Sequence, residues 1–371
     1  MNDGDAKPRE PHIILGMMSG TSGDGIDAAA VRFDHSNIDL LAFESIAFTD
    51  PLREQLFSIR ADSSASLHQL CRFTRDLTLL HATLARRVLE RVPGVKLIAA
   101  HGQTLFHDPP MTMQVFDPAL LAQEVGIDVA SDFRRADCAA GGQGAPLVPI
   151  ADHTLFSHAT ENRCMLNLGG IANVTFLKAG GRVDEMIAFD TGPANCVLDH
   201  LWRRHNRSGF DTGGALAITG TADRAIATHA AITADGLWDR LPPKSTDTPA
   251  MIRAFEQSKA DHLSLPDLLA TAALMAAMLL RRGLEQLPGM PIDRLFASGG
   301  GVLNRALVNA IEHETKLRLE TTDALGIPTQ AKEAVAFAIL GHRLLLGLPG
   351  NVPRVTGASR GVLLGSITRA G

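Results

Sequence analysis

Residues 13–33, IILGMMSGTSGDGIDAAAVRF, set the strictest limit on what this chain can fold into. An apolar run, Ile13–Leu15, meets a loop of Gly, Ser, Thr and Asp over 16–25, and a second alternating apolar run follows over Ile26–Phe33. That order predicts strand, tight turn, strand. Gly20 and Gly25 are expected to turn the backbone at positive φ and to leave room for a ligand. Ser19, Thr21 and Ser22 offer hydroxyls, and successive backbone N–H groups can cradle an anion. Asp24 and Asp27 could hold a cation that travels with a phosphate. The stretch is no P-loop, because it lacks GK[ST] and runs into a strand instead of a helix. Taken alone it also fits an ordinary Gly-rich β-turn.

The same pattern returns at Cys164–Leu177, CMLNLGGIANVTFL, where Gly-Gly lies between Asn167 and Asn173. Each half of the chain thus opens with strand, Gly turn, strand, which suggests a duplicated fold with a cleft between the halves. Two such hairpins could clamp a nucleotide. At 371 residues the chain is long enough for two domains. The boundary is expected near Ser131–Pro149, SDFRRADCAAGGQGAPLVP, which mixes charge, Gly and Pro without periodicity. The first domain is then 1–131, with a tail of about 360–371 returning to it, and the second is 132–359.

Between these landmarks the chain alternates strands and helices. Strands are predicted over Asn37–Ala47, Lys96–Ala100, Thr112–Phe116, Ile127–Ser131, Met186–Phe189, Arg294–Ala297 and Lys316–Thr321. Asp50 caps a helix. Leu67, Leu70, Phe73, Leu77, Leu80, Leu84 and Val88 recur every three or four positions and make 66–91 a long amphipathic helix. Asp117 caps a helix over Pro118–Val125 that stops at Gly126. Residues 217–265 read as polar and mostly helical. Leu268–Gln286 is a buried helix, whose apolar run Leu268–Leu280 is too short to span a bilayer and is broken by Thr271. Further helices are expected over Cys196–His205, Val302–Glu314 and Lys332–Leu346.

Composition removes several function classes. A net charge of −5 opposes a nucleic-acid-coating surface and an anionic membrane partner. The chain has no Tyr and 5% aromatic residues, too few for recognition by base stacking. Cys71, Cys138, Cys164 and Cys196 are widely spaced without a CxxC pair, as expected of thiols in a reducing cytoplasm. The first twelve residues carry no apolar run of the kind a signal peptide has.

Polar residues at strand ends mark the candidate chemistry. HGQT (101–104) follows one strand. Asp190 follows another and precedes a Gly-Pro turn and a helix, where it reads either as a rigidly held general base or as a turn aspartate. SGGG (298–301) follows a third, and its bare backbone would let a flat ring approach.

Taken together, SGTSGDGID, HGQT, DFRRAD with GGQGAPLVP, NLGGIANV, FDTGPAN, PKST, SGGGVLN, KEAVAFA and LPGNVPRVTGA resemble the anhydro-N-acetylmuramic acid kinases, in the family's order and from about Gly16 to Gly365. The resemblance implies an α/β, two-domain duplicated actin-like ATPase fold (the sugar kinase/Hsp70/actin superfamily) with an interdomain cleft. It implies a cytoplasmic, homodimeric enzyme using ATP with Mg²⁺ on 1,6-anhydro-N-acetylmuramic acid, giving N-acetylmuramate 6-phosphate and ADP in murein recycling. Water would open the anhydro ring while O6 takes the γ-phosphate. A same-fold ATP-binding module without catalysis, or a kinase for another sugar, is the alternative.

By the same resemblance Asp190 takes the proton from water, and Glu333 is its partner near water or sugar. Glu333 also reads as a helix-start glutamate favoured by the macrodipole. Gly20, Thr21, Ser22, Gly23, Asp24, Gly25, Ile26 and Asp27 would form one phosphate loop. Asn167, Gly169, Gly170 and Asn173 would form the other, and Gly299, Gly300, Gly301 and Asn304 the nucleoside platform. Gln103, Thr104, Gly192 and Asn195 would face the sugar. Arg135 or its neighbour Arg134 would hold the lactyl carboxylate, which a guanidinium can bond bidentately. Three departures stand out. Gly23 replaces a larger apolar residue. No acidic residue precedes the first turn, which leaves Asp24 as the guess for the metal. Asp247-Thr248-Pro249 follows PKST where the family has GRE.

Overall fold

The computed structural model describes every residue except 1–10, 21–22, 35–36, 63–64, 207–208, 288 and 290. The chain divides into two compact units, Met1–Leu155 with Ala331–Gly371, and Phe156–Gln330.

The first unit begins with β1 (His12–Ser19), β2 (Gly25–Asp34) and β3 (Asn37–Ala47). Next come α1 (Asp50–Asp62), α2 (Leu67–Arg91), β4 (Val95–Ala100), the hairpin β5 (Gln103–Asp108) and β6 (Met111–Val115), α3 (Pro118–Val125) and β7 (Val129–Ser131). Two short helices, α4 (Arg135–Ala139) and α5 (Pro149–Phe156), lead to the second unit. That unit holds β8 (Arg163–Leu168), β9 (Ile171–Leu177), β10 (Ile187–Pro193), α6 (Asn195–Asn206), α7 (Arg224–Thr233), α8 (Thr248–Glu256), α9 (Leu265–Glu285), β11 (Arg294–Ser298), α10 (Arg305–Thr315) and β12 (Leu319–Thr321). The chain then re-enters the first unit through α11 (Lys332–Leu345), α12 (Pro353–Thr356) and β13 (Ser366–Thr368).

The duplication expected from the two hairpins appears in the strand order. The first sheet runs β13-β7-β4-β1-β2-β3, and the second runs β10-β9-β8-β11-β12. In each, the opening strand pairs antiparallel with the second and the second with the third. The opening strand then pairs parallel with the fourth, and the fourth with the fifth.

Both faces of the first sheet are covered, so β1 and β2 read as nearly unbroken apolar runs. Leu15, Met17, Ile26, Ala28 and Ala30 share a core with Phe73, Leu77, Leu84 and Val88 of α2. The opposite face meets α11, whose Ala334, Ala338 and Gly341 recur at helical spacing. The approach is so close that a Cβ at Gly16 would lie 1.9 Å from the Ala334 carbonyl oxygen and 2.5 Å from the Ala338 nitrogen. Neither backbone can yield cheaply, so Gly16→Val should cost about 3 kcal/mol or more. A denaturant titration showing less than 1 kcal/mol would mean that α11 is loosely docked.

In the second unit α9 is buried on nearly every side from Leu268 to Leu280 and packs against α6, α7, α10 and β10. The buried helix read from the sequence is this one.

The expected boundary at 131 falls inside the first unit, and so does the whole return from 331. The cause is Asp137, fully buried, whose carboxylate accepts hydrogen bonds from Gly144 N, Asn351 Nδ2 and Thr356 Oγ1, each at 2.7 Å. Those bonds tie the Gly-rich loop to the C-terminal segment. β13 completes the sheet beside β7.

Candidate active site

The candidate residues fall into two groups, one in each unit. In the first, the β1–β2 turn is closed by Gly23 N donating to Gly20 O at 3.3 Å. Gly23, not Gly25, has the positive φ, at +68°. Gly25 is needed for a different reason: a Cβ there would lie 2.3 Å from the Ile46 carbonyl oxygen of β3. Thr21 and Ser22 lie outside the described residues. Asp24 is exposed and 3.6 Å from Arg53. Ile26 is buried in the core.

Gln103 is wholly buried and braces this turn. Its Nε2 donates to Gly20 O at 3.0 Å, and its Oε1 accepts from the Ser19 hydroxyl. Thr104 Oγ1 accepts from Gln114 Nε2 at 3.2 Å, while the Thr104 carbonyl is held by Arg60 at 2.6 Å.

The two arginines separate clearly. Arg135 is exposed and paired with Asp132 at 2.8 Å. Arg134 turns inward, where Nη1 donates to Gly144 O and Nε to His101 Nε2, both at 2.8 Å. His101 therefore accepts at Nε2, and its Nδ1–H donates to Gly102 O at 2.8 Å. Burial, then the charge of Arg134, hold this imidazole well below its usual range. Burial pulls Arg134 itself down to about 10, against the opposite pull of Glu333, so it stays a cation at neutral pH.

Glu333 sits in the first turn of α11. Burial pushes its carboxyl up; Lys332 draws it down, Asp27 pushes it up and Arg134 draws it down. Lys332 is held by Asp152 at 2.9 Å, and both side chains are about 4% exposed. Asp27 is likewise raised by burial, less the bond it accepts from Ser45. Two carboxyls whose charged forms burial disfavours thus share this group.

The second group is built on the register of the other sheet. Asp190 pairs with Asn173, Asn173 with Asn167, and Asn167 with Ser298. Residues from three motifs therefore form one row across β10, β9, β8 and β11, with paired side chains on a common face. A bulge follows Asp190, and Thr191 Oγ1 secures it on Ala172 O at 3.2 Å. Gly192 has φ +151°, and a Cβ there would meet Leu279 Cδ1 at 2.9 Å. Asp190 thus lies within β10, not beyond its end as the sequence reading had it.

Burial raises the Asp190 carboxyl to about 6, against the Thr246 N–H and Arg240, which lower it. Thr246 N donates to Oδ2 at 3.0 Å, and Asp190 N donates to Lys244 O at 2.9 Å. A carboxylate tuned close to neutrality on a rigid strand is suited to accept a proton.

Gly169 and Gly170 turn β8 into β9, and their carbonyls receive the start of α6: Asn195 N and Nδ2 donate to Gly169 O, and Ala194 N and Cys196 N to Gly170 O. Gly299 has φ +86°, and a Cβ there would meet Leu168 O at 2.7 Å. At Gly301 a Cβ would strike Leu168 Cβ at 2.7 Å, whereas Gly300 faces open space. Asn304 caps α10 through Leu307 N. This backbone can lie flat against a ring. In the divergent loop, Asp247 caps α8 through Ala250 N at 2.7 Å.

Thr246, Lys244 and His101 have no individual role in the sequence reading, and Ser298 enters it only through the SGGG stretch. PKST was noticed as a motif, but nothing in its spacing shows that its backbone clasps Asp190.

A family model described as anhydro-N-acetylmuramic acid kinase matches residues 12–370. An enzyme of that name from Gloeobacter violaceus is 38% identical over 98% of this chain and 100% of its own. One from Caldanaerobacter subterraneus subsp. tengcongensis is 34% identical over 97% and 98%. Among solved structures, a ROK family glucokinase from Streptomyces griseus in complex with glucose and AMPPNP aligns over 88% of this chain and 98% of its own, at 10% identity and TM-score 0.40.

Proposed function

The chain belongs to the anhydro-N-acetylmuramic acid kinase family, and from that premise we propose that it converts ATP, water and 1,6-anhydro-N-acetylmuramic acid to ADP and N-acetylmuramate 6-phosphate. The polar row in the second unit carries the reading: Asp190 pairs with Asn173, which pairs with Asn167, and burial raises the Asp190 carboxyl to about 6.

Water is a weak nucleophile, so its attack on C1 needs a base. Asp190 takes that proton as the water oxygen bonds to C1. The C1–O6 bond breaks, O6 bonds to the γ-phosphorus, and the bond from that phosphorus to the β-phosphate's bridging oxygen breaks. The proton remains on Asp190 until exchange with solvent. Catalysis of the transfer rests on positioning and on neutralising charge.

The two Gly turns, 20–27 and 167–173, are assigned to the phosphates, and Gly299–Gly301 with Asn304 to the nucleoside. Of the arginines, Arg134 suits the lactyl carboxylate, since Arg135 is already paired with Asp132. Gln103 and Asn195 support the site as braces, by the bonds they already make. Thr104 and Gly192 are kept as residues facing the sugar.

Mg²⁺ suits the first unit's donors. Among the described residues no cluster of three His, Cys, Asp or Glu could hold a metal ion, but Mg²⁺ asks for only one or two carboxylates beside phosphates and water. Asp27 and Glu333, whose charges are raised in cost by burial, fit better than the exposed Asp24. When bound, the ion neutralises charge on the phosphates.

Among the described residues no helix is long and apolar enough to cross a membrane. A cytoplasmic setting is proposed from four cysteines spaced without a CxxC pair and from the use of ATP. A homodimer is proposed from the family resemblance.

Mass spectrometry of products made in ¹⁸O-water tests the reaction. One N-acetylmuramate phosphate with ¹⁸O at C1 is expected. Phosphorylation without ring opening would indicate another sugar as substrate, and bound ATP without product would indicate a binding module.

A further inference from the structure

Lys244 is the second residue of PKST to be explained, and its burial is unusual. Only 7% of it is exposed, and its ammonium donates to Leu237 O and Gln286 Oε1, both at 2.7 Å. It also lies 5.5 Å over the ring of Phe189, the neighbour of Asp190. Among the described residues no carboxylate forms an ion pair with it, and lysines are rarely so buried without one.

The bonds form a strap. Gln286, just past the end of α9, donates to Trp238 O at 3.1 Å, and Arg282 donates to the same oxygen at 3.0 Å. Residues 237–244 are thereby fastened to α9 at one side. At the other side the strap's backbone grips the carboxylate residue, through Lys244 O and Thr246 N. Arg240 on the same strap donates to Ser245 O at 3.0 Å and its charge helps to keep Asp190 ionised.

We propose that Lys244 is a positioning residue for the reaction: by anchoring 237–246 to α9 it fixes where the Thr246 N–H and Arg240 meet Asp190, and so holds that carboxylate in its working orientation. The inference rests on Asp190 acting as the base. Lys244 does not touch the sugar or the nucleotide in this role. Its own ammonium is drawn down to about 8 by burial, then by Arg240 and Arg282.

The test is the pH profile of kcat and kcat/KM for full-length Lys244→Met, with Lys244→Ala assayed with and without added ethylamine. Lys244→Met is expected to lower kcat about 100-fold, the cost of a displaced catalytic group. KM for ATP should change less than about twofold, since the nucleotide contacts are untouched. The acid limb should move upward from about 6, because the two influences that lower Asp190 are no longer held in place. Ethylamine should restore about tenfold of the activity of Lys244→Ala by refilling the ammonium site.

An acid limb that stays in place, with no amine rescue in a protein whose circular dichroism is normal, overturns the proposal. Should Lys244→Met not fold, Gln286→Leu removes one anchor from a half-buried helix end. It should move the limb in the same direction with a several-fold loss of kcat, and an unmoved limb there is equally decisive. Failure of the base reading looks different: Asp190→Asn would then turn over normally whatever Lys244 does.

Discussion

Asp190→Asn should lower kcat by about 10³- to 10⁴-fold while ATP binding, followed by titration calorimetry, changes little. Asparagine keeps the acceptor for Thr246 N–H but cannot take a proton from water. Near-normal turnover in this variant would remove Asp190 from the chemistry. The same substitution should stabilise the fold. Burial lifts the carboxyl from 3.8 to about 6, so holding it ionised at pH 7.5 costs about 1–3 kcal/mol. For an acid whose folded value is raised, the native state binds the extra proton between those two values. Wild-type stability therefore falls as pH rises from about 4 to about 6, and then levels off. Asp190→Asn lacks that fall, so its advantage should appear across this window and persist above it. Equal stability at pH 4 and pH 7.5, relative to wild type, would show that the carboxyl is better solvated than its surroundings imply.

The second large effect is expected at Asp137. Its replacement by alanine leaves three buried donors, from Gly144, Asn351 and Thr356, without their acceptor. Each such loss costs about 1–3 kcal/mol, and the set about 3–5 kcal/mol after relaxation. Asp137→Asn should be nearly as harmful, because its amide would present a donor to donors. A built-in probe distinguishes the units: the two Trp, Trp202 and Trp238, both lie within 156–330, and the chain has no Tyr. Circular dichroism in urea should show the first unit melting early, while Trp fluorescence keeps its wild-type midpoint. A loss below 1 kcal/mol in both variants would mean that the Gly-rich loop does not depend on this clasp. Since Gly144 O also receives Arg134, the sugar KM should rise in whatever folded fraction remains.

Much of the fold is legible where pattern and punctuation agree. β3 is one clean run from Asn37 to Ala47, and α3 lies between Asp117 at its start and Gly126 at its end. α2 and α9 follow from their apolar periodicity. β5 does not, because QTLFHD belongs to a small, partly exposed two-stranded sheet and has no buried face to impose alternation. The two compact units divide at 155 and not at 131 for a related reason. Residues 132–148 carry no periodicity, and their allegiance is decided by hydrogen bonds to residues more than two hundred positions away.

The site shows the same division. Gly turns, Asp190 and the paired arginines are visible as residue types. The row joining Asp190, Asn173, Asn167 and Ser298 is not, since register is a property of paired strands and no single segment contains it. Nor does sequence separate Arg134 from Arg135. One residue of shift along α4 turns the first toward His101 and leaves the second with Asp132.

The route of the chain has a consequence for its biosynthesis. β7 gains its outer neighbour, β13, and β1 gains the cover of α11, only from residues that follow the entire second unit. A ribosome working at about 5–20 residues per second needs roughly 10–40 s to make the intervening segment. Throughout that interval the nascent first sheet presents an unpaired strand edge and an uncovered apolar face built around Ile14 and Gly16. The second unit, contiguous in sequence, can fold as it emerges. The first unit is therefore the part of the protein expected to stay exposed longest during synthesis, and a stalled or prematurely terminated chain would leave its edge and apolar face open to aggregation.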